Sequence, residues 1–191
     1  MIDVWHVDLD LVRGHQPAAE EAERASRFVT TELSRRYLAA HGALRAILRR
    51  YTGESLEFAL KDRGKPFLPH APSVRFNLSH SRGRALIAVS SEIEVGVDIE
   101  HIRPMPNAGA IVERYFPPGE PIPVDEVDFF RRWTRMEAQW KARGVGLYGS
   151  GTAMDGKWTV RDVDAGPGYA AAVAAEGLDL AVKIHYFGAD E

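Results

Sequence analysis

Residues 95–100 read Val95-Gly96-Val97-Asp98-Ile99-Glu100, an apolar and partly β-branched run with two carboxylates near its end. Valine and isoleucine favour extended backbone, so the run predicts a buried strand. Because side chains alternate along a strand, Asp98 and Glu100 are expected on the same face. Two like charges on one face repel unless something neutralises them, and a divalent cation with oxygen ligands would do so. The alternative is a strand end that turns into solvent.

A second charged pattern lies in the stretch WTRMEAQWKARG at residues 133–144. The stretch predicts a helix that begins at residue 125 or 126, runs to about residue 143 and stops at Gly144. Glu137 and Lys141 fall on its apolar, core-facing stripe, one turn apart. Charged groups on such a stripe are unfavourable unless they are paired or coordinated. The alternative is a partly exposed Glu–Lys pair within the helix, which stabilises little.

Three carboxylates and a lysine together predict a site for a phosphate-bearing substrate. The carboxylates could hold magnesium on a pyrophosphate while Lys141 offsets further phosphate charge. Two other segments fit an anionic substrate. The turn Gly64-Lys65-Pro66 presents a lysine beside a proline, and the strand end FNLSHS at 76–81 presents hydroxyls and an imidazole.

An arginine-rich stretch offers a further surface for anions. Residues 33–50 contain five arginines and no acid, and their apolar residues recur at three- and four-residue steps. This pattern predicts one or two amphipathic helices with Gly42 as a break, and its alternative is a solvated helix face. The whole chain has 24 basic and 27 acidic residues, a net charge of −3. That balance argues against a general nucleic-acid partner.

The composition is that of an ordinary globular protein, with 191 residues, 45% apolar, 27% charged and no cysteine. The lack of cysteine excludes a disulfide scaffold, thiolate metal sites and cysteine nucleophiles. The N-terminus does not have the pattern of a signal peptide, and the apolar runs are far shorter than the ~20 residues that span a bilayer. A cytoplasmic location without a membrane partner is therefore expected.

Strand-rich segments occur twice. Residues 85–89 and 95–99 flank a polar connection and predict a hairpin, and residues 169–175 and 180–187 form a similar pair. The likeness suggests an internal duplication, with chance resemblance as the alternative. Between the pairs, prolines bracket a short helix candidate at 108–115. We place a boundary near residue 103, which divides the chain into halves 1–103 and 104–191.

Four segments in order resemble a known family. GKP at 64–66, FNLSHS at 76–81, VGVDIE at 95–100 and WTRMEAQWKARGVGL at 133–147 closely resemble the successive motifs of the surfactin-type 4′-phosphopantetheinyl transferases. The last motif resembles the subgroup that has Trp and Glu-Ala there.

The resemblance implies an α+β fold, in which two similar α+β halves form a pseudo-dimer with coenzyme A in the cleft at their junction. It implies a magnesium-dependent monomer that moves the 4′-phosphopantetheine arm of coenzyme A to a serine of an acyl or peptidyl carrier protein. Adenosine 3′,5′-bisphosphate is the other product. Such carriers serve fatty-acid, polyketide or nonribosomal peptide synthesis and are commonly acidic around the serine.

The resemblance also implies roles for residues, carried over by motif position. Asp98, Glu100 and Glu137 look like the metal ligands, and Glu137 is the candidate base for the serine proton, directly or through water. Lys141 is expected to neutralise the pyrophosphate and to assist the leaving group.

Further contacts to coenzyme A are expected from the first half. Lys65, Ser79 and His80 look like phosphate contacts. Arg36 and Arg45 lie where the family's arginine-rich helix meets the 3′-phosphate.

One position departs from the family pattern. Met136 stands where the family usually has lysine, so we expect altered affinity or carrier preference without loss of a metal ligand or of the base. Two other functions stay open: another magnesium phosphotransferase or nuclease, and a module that binds coenzyme A without turnover.

Overall fold

The computed structural model describes residues 1–14, 16–53, 56–91, 93–146, 158–177 and 180–188. Leu147, the last residue of the fourth motif, lies outside these ranges. Within them the helices are α1 (Ala19–Ala25), α2 (Thr31–Thr52), α3 (Ala108–Tyr115) and α4 (Glu126–Arg143). The strands are β1 (Ile2–Asp8), β2 (Ala59–Leu60), β3 (Pro66–Phe67), β4 (Val74–Ser81), β5 (Arg84–Ser91), β6 (Val95–His101), β7 (Trp158–Asp162), β8 (Tyr169–Glu176) and β9 (Val182–Phe187).

The fold is α+β, as expected, and its strands form two main sheets. The first sheet has the order β4-β5-β1-β9, with β1 antiparallel to β5 and parallel to β9. The second has the order β6-β8-β7 and is antiparallel throughout. The short strands β2 and β3 pair with each other.

The two sheets and two helices pack as four layers in the order α2, first sheet, second sheet, α4. One face of the first sheet buries Trp5, Val7 and Ile87 against α2. Its other face packs on the second sheet through a core that includes Val97 and Val173. Small residues cover the far face of the second sheet, where α4 packs on β8. Strand alternation thus supplies two apolar faces to each sheet.

Side-chain caps mark the starts of both long helices, and α4 has the bounds that the sequence predicts. The Thr30 hydroxyl accepts a hydrogen bond from the Leu33 N–H at the start of α2, and the Asp125 carboxylate accepts one from the Asp128 N–H at the start of α4. Gly144 ends α4 in the left-handed conformation. Gly42 is buried within α2 and does not break it, so the stretch is one helix. None of the described helices has the length and apolar character needed to cross a membrane.

The two predicted strand pairs are not hairpins. β5 pairs with β4 on one edge and β1 on the other, so no edge is left for β6, which pairs with β8 in the second sheet. β8 and β9 likewise lie in different sheets. The expectation was wrong because two apolar runs joined by a short polar segment look the same locally whether the chain returns on itself or crosses to another layer.

The two crossings run in opposite directions. From β5 to β6 the chain passes from the first sheet to the second, and from β8 to β9 it passes back. Each sheet consequently contains strands from both sides of residue 103. The two segments that resemble each other in sequence therefore both cross between the sheets, in opposite directions.

Candidate functional site

Three side chains of β4 hold one edge of β6. Strand alternation directs Asn77, Ser79 and Ser81 to the same side of β4. Their oxygens accept hydrogen bonds of 2.9, 3.3 and 3.1 Å from main-chain N–H groups of β6, those of Val97, Ile99 and His101. Because β8 pairs with the other edge of β6, the strand that carries Asp98 and Glu100 is fixed on both sides.

Helix α4 crosses β6 with almost no space between the two backbones. A Cβ atom built on Gly96 would lie 2.1 Å from the Ala138 carbonyl oxygen and 2.3 Å from the Ala142 nitrogen. Only glycine permits this approach. The close crossing brings Glu137 and Lys141 of α4 to the face of β6 that carries Asp98.

The Lys141 ammonium group is the centre of the cluster. Its Nζ lies 2.5 Å from Asp98 Oδ1, 3.1 Å from Ser79 Oγ and 3.5 Å from Glu137 Oε2. Ser79 also donates a hydrogen bond of 2.8 Å to Asp98 Oδ1. The sequence-predicted Asp98, Glu137, Lys141 and Ser79 therefore meet at one point, and Lys141 pairs beyond its own helix.

Burial and charge perturb the two ionisable groups of α4 in this cluster. Burial raises the pKa of Glu137 above its usual value, although the nearby Lys141 cation opposes the effect. Burial alone would lower the pKa of Lys141, but the Asp98 and Glu137 carboxylates outweigh it and raise that pKa. Lys141 thus stays a cation, and Glu137 takes up a proton more readily than an exposed glutamate.

Glu100 lies on the same face as Asp98 but has other partners. Its Oε2 accepts hydrogen bonds of 3.0 Å from the Ser81 hydroxyl and 2.9 Å from the Arg103 guanidinium group. Arg103 also stacks over the Phe130 ring, with its Cζ 4.8 Å from the ring centre. The third predicted carboxylate is therefore paired with a cation of its own.

The carboxylates suit a cation, although Glu100 has partners of its own and does not join Asp98 and Glu137 at Lys141. Among the described residues, no group of three or more His, Cys, Asp or Glu side chains is arranged to hold a metal ion. Asp98 Oδ2 is nevertheless buried and has no hydrogen-bond partner in the described part of the chain. Since buried polar atoms are normally satisfied, this oxygen is available to a ligand. The carboxylates already bind one positive charge, the Lys141 ammonium. With this Asp98 oxygen, they form a donor set that is compatible with a hard divalent cation.

Lys65 lies at the C-terminal end of α4. Its Nζ donates hydrogen bonds of 2.7 Å to Glu94 Oε2, 2.7 Å to the Ala142 carbonyl and 3.1 Å to the Val95 carbonyl. Burial lowers its pKa, and Glu94 partly offsets that effect. All three donors of the ammonium group are used within the protein. Its predicted phosphate contact stays a prediction, and a phosphate there would compete with these acceptors.

His80 lies on the opposite side of β4 from Ser79 and is linked electrostatically to the cluster. Burial lowers its pKa, and the Lys141 cation lowers it further. His41 of α2 is close enough to interact with His80, and its own pKa is also lowered by burial. Both imidazoles are consequently biased towards the neutral form.

The two predicted arginines of α2 already have carboxylate partners. Arg36 donates two hydrogen bonds to Asp10, of 3.0 and 2.9 Å, and these bonds raise its pKa. Arg45 donates a bond of 2.9 Å to the buried Glu21 and lies over the Phe58 ring. Their contact with a 3′-phosphate stays a prediction.

Sequence reasoning noted the hydroxyls of FNLSHS but did not single out Ser81 as a site residue, and it missed Arg103. The signal for Ser81 was present, because it follows Ser79 by two residues and must share its face. Arg103 follows Glu100 by three residues, beyond the strand, where no local period fixes a side chain. Its pairing could not be read from spacing.

Comparison with known proteins gives one family. The sequence profile of the 4′-phosphopantetheinyl transferase superfamily matches residues 94–185, which include Asp98, Glu100, Glu137 and Lys141. The 4′-phosphopantetheinyl transferase HetI of Nostoc sp. is 34% identical over an alignment of 165 positions, which covers 76% of this chain and 70% of that protein.

Relatives from other bacteria give similar values. The transferase psf-1 of Bacillus pumilus is 35% identical over 158 residues, covering 74% of this chain and 66% of that protein. The transferase AcpT of Escherichia coli (strain K12) is 40% identical over 108 residues, covering 52% of this chain and 55% of that protein. The matched region thus spans between half and about two thirds of these two proteins.

Proposed function

The chain belongs to the 4′-phosphopantetheinyl transferase superfamily, and from this membership we propose that it moves the 4′-phosphopantetheine arm of coenzyme A to a serine of a carrier protein. The observation that carries the proposal is the cluster of Asp98, Glu137, Ser79 and Lys141. It combines carboxylates for a metal and a base with a cation for a pyrophosphate. These are the groups that displacement at phosphorus requires.

The proposed reaction exchanges one phosphorus–oxygen bond for another. The serine oxygen bonds to the phosphorus that carries the pantetheine arm, and the bond from that phosphorus to the bridging oxygen breaks. The electron pair leaves with adenosine 3′,5′-bisphosphate, and the serine proton passes to a base. A covalent intermediate on the enzyme is not required.

Glu137 is the proposed base, acting directly or through a water molecule. Its raised pKa, caused by burial, moves it towards neutral pH, where a general base is most effective. Lys141 is proposed to neutralise the charge that develops on the leaving group. Asp98, Glu100 and Glu137 would hold Mg²⁺, which when bound would neutralise further charge on the pyrophosphate.

The remaining contacts to coenzyme A are proposed from the first half of the chain. Ser79 lies beside Lys141 and would bind a phosphate oxygen, with His80 on the adjacent position of β4. Lys65 holds the end of α4 and would bind phosphate only by exchanging acceptors. Arg36 and Arg45 would meet the 3′-phosphate by sharing or exchanging their carboxylate partners.

We further infer that the chain is a pseudo-dimer of the halves 1–103 and 104–191. The opposite crossings between the sheets support a two-fold relation, and the site takes Asp98 from one half and Glu137 from the other. Because both halves are in one chain, a monomer is sufficient for activity. The carrier is expected to serve fatty-acid, polyketide or nonribosomal peptide synthesis.

Mass spectrometry of a panel of apo carrier proteins tests the proposal. Each carrier is incubated with the protein, coenzyme A and magnesium, with and without a chelator. We expect at least one carrier to gain the mass of one phosphopantetheine arm and the chelator to abolish the gain. Coenzyme A binding without any gain would indicate a binding module, and cleavage of other phosphoesters would indicate a different phosphotransferase or nuclease.

A further inference from the structure

The Lys141 ammonium lies between two of the proposed metal ligands. The Lys141 ammonium lies 2.5 Å from Asp98 Oδ1 and 3.5 Å from Glu137 Oε2, and the Asp98 side chain is only 4% exposed. Within the described part of the chain, the close acceptors of this ammonium are Asp98, Glu137 and Ser79, which are expected to serve the metal or the substrate. A buried carboxylate needs a counter-charge, and in this state Lys141 supplies it.

A second cation of the chain holds the remaining carboxylate. Arg103 donates to Glu100 Oε2 at 2.9 Å and to the His101 carbonyl at 2.8 Å, and its guanidinium stacks on Phe130. These three contacts fix its position. The carboxylates of β6 are thus both neutralised by the protein itself.

We propose that Lys141 and Arg103 are resident counter-ions that keep divalent metal out of the ligand-free site, so that metal enters together with coenzyme A. The inference rests on the proposed function, because it assumes that a pyrophosphate occupies this site. The pyrophosphate gives the Lys141 ammonium a new anionic partner. When Lys141 moves to it, the Asp98 and Glu137 carboxylates become available to metal.

Electrostatics and chain geometry favour this exchange. Two cations on the same pair of carboxylates repel strongly in a partly buried site, so ammonium and metal compete unless a further anion arrives. Lysine carries its charge on a flexible four-carbon stem, which can move it between neighbouring acceptors without moving the backbone. Asp98 Oδ2 has no hydrogen-bond partner among the described residues, which leaves one oxygen ready for the metal throughout.

Titration of the ligand-free protein with Mn²⁺, followed by electron paramagnetic resonance, tests the proposal without any turnover. Manganese prefers the same oxygen ligands as magnesium. Replacing Lys141 by Met removes the competing charge, so Lys141→Met should tighten Mn²⁺ binding in the absence of coenzyme A by about tenfold or more. The same variant should gain less Mn²⁺ affinity from added coenzyme A than the wild type does.

Two further variants make the result specific. Arg103→Gln should tighten ligand-free Mn²⁺ binding by about threefold, as expected for a half-exposed ion pair. Lys61→Met removes the same charge from a pair with Glu94, which is not a proposed metal ligand, and should leave Mn²⁺ affinity unchanged. Circular dichroism and thermal unfolding establish that each variant is folded, and if Lys141→Met does not fold, Arg103→Gln carries the test.

Unchanged or weaker Mn²⁺ binding in folded Lys141→Met, or in folded Arg103→Gln where it alone carries the test, would overturn the proposal. An equal gain in Lys61→Met would also overturn it, because net charge alone would then explain the effect. The assay contains no carrier protein. A protein that transfers no arm but shows the predicted Mn²⁺ affinities would therefore refute the proposed function and leave this inference standing.

Discussion

Glu137 is the residue on which the proposed chemistry depends most. Replacing it by Gln keeps the shape of the side chain but removes its capacity to accept the serine proton. We expect Glu137→Gln to lower the transfer rate by about 100-fold or more and to weaken coenzyme A binding far less. Steady-state kinetics and isothermal calorimetry with coenzyme A measure the two effects.

Glu113→Gln provides the matched control, since Glu113 is an exposed glutamate of α3 and its loss removes the same charge. Glu113→Gln should change neither the transfer rate nor coenzyme A binding. Equal losses of transfer and of coenzyme A binding in Glu137→Gln would contradict the role of base and leave only a role in binding.

Position 136 departs from the family pattern, because it holds methionine where lysine is usual. The side chain is partly buried against an aromatic cluster that contains Phe116, Phe129 and Phe130. A lysine can place its stem on such a surface and its charge in solvent. We expect Met136→Lys to fold and to change coenzyme A affinity or carrier preference, measured by calorimetry and by transfer to several carriers. If affinity, turnover and preference all stay the same, the position is merely structural.

The residues that the sequence predicted well are those fixed by the repeat of a single strand or helix. Alternation along a strand places Asp98 and Glu100 on one face, and the four-residue step of a helix places Glu137 and Lys141 one turn apart. The partners of Lys65 were not predictable, because they lie 29 to 77 residues away along the chain. Such contacts depend on how the layers pack.

The crossing of α4 over β6 is the element-scale feature that builds the site. Gly96→Ala would force a Cβ into the α4 backbone, and backbone atoms cannot rotate away as a flexible side chain can. We expect the free energy of unfolding to fall by about 3 kcal/mol or more, or folding to fail. Urea denaturation measures the change.

Gly109→Ala is the control for this prediction. Gly109 lies in α3, and a Cβ there would meet nothing within 4 Å. Because alanine favours helix over glycine, this variant should be more stable by about 0.5–1 kcal/mol. Similar stability changes in both variants would show that the tight crossing does not limit position 96.

The helices and strands were largely predictable from the sequence, whereas the pairing of the strands was not. The bounds of α3 and α4 follow from prolines, an Asp cap and Gly144. The β5–β6 connection was misjudged because pairing is set by which edges remain free. Here β4 and β1 occupy both edges of β5.

Histidines whose pKa is lowered in the folded state should make the stability of the whole molecule depend on pH. Burial lowers the pKa of His6, His41 and His80, so these side chains resist protonation in the folded state. The unfolded chain takes up those protons once the pH falls below about 6.5, so acid favours unfolding. We expect the melting temperature to fall as the pH is lowered from about 7.5 to 5.5.

A His6→Asn, His41→Asn double variant should reduce this dependence, because two of the groups are removed. His70→Asn, at a half-exposed position, serves as the control and should keep the wild-type dependence. A double variant whose melting temperature falls with pH as steeply as that of the wild type would show that other groups control acid stability.

The four-layer packing of the molecule brings β6 and α4 together at the site. The resemblance predicted an α+β fold and a junction between halves, but it did not give the order of the layers. Nothing in the sequence indicated that β9 pairs in parallel with β1, across nearly the whole length of the chain. Parallel pairing of distant segments leaves no local signal.

The central claim is that the chain transfers the arm of coenzyme A to a carrier serine. The most direct test is to measure, in one reaction, the arms gained by the carrier and the adenosine 3′,5′-bisphosphate released. We expect equal amounts of the two, and neither product when the carrier serine is replaced by alanine. Release of the bisphosphate without a gain by the carrier, or no product from any carrier although coenzyme A binds, would contradict this claim.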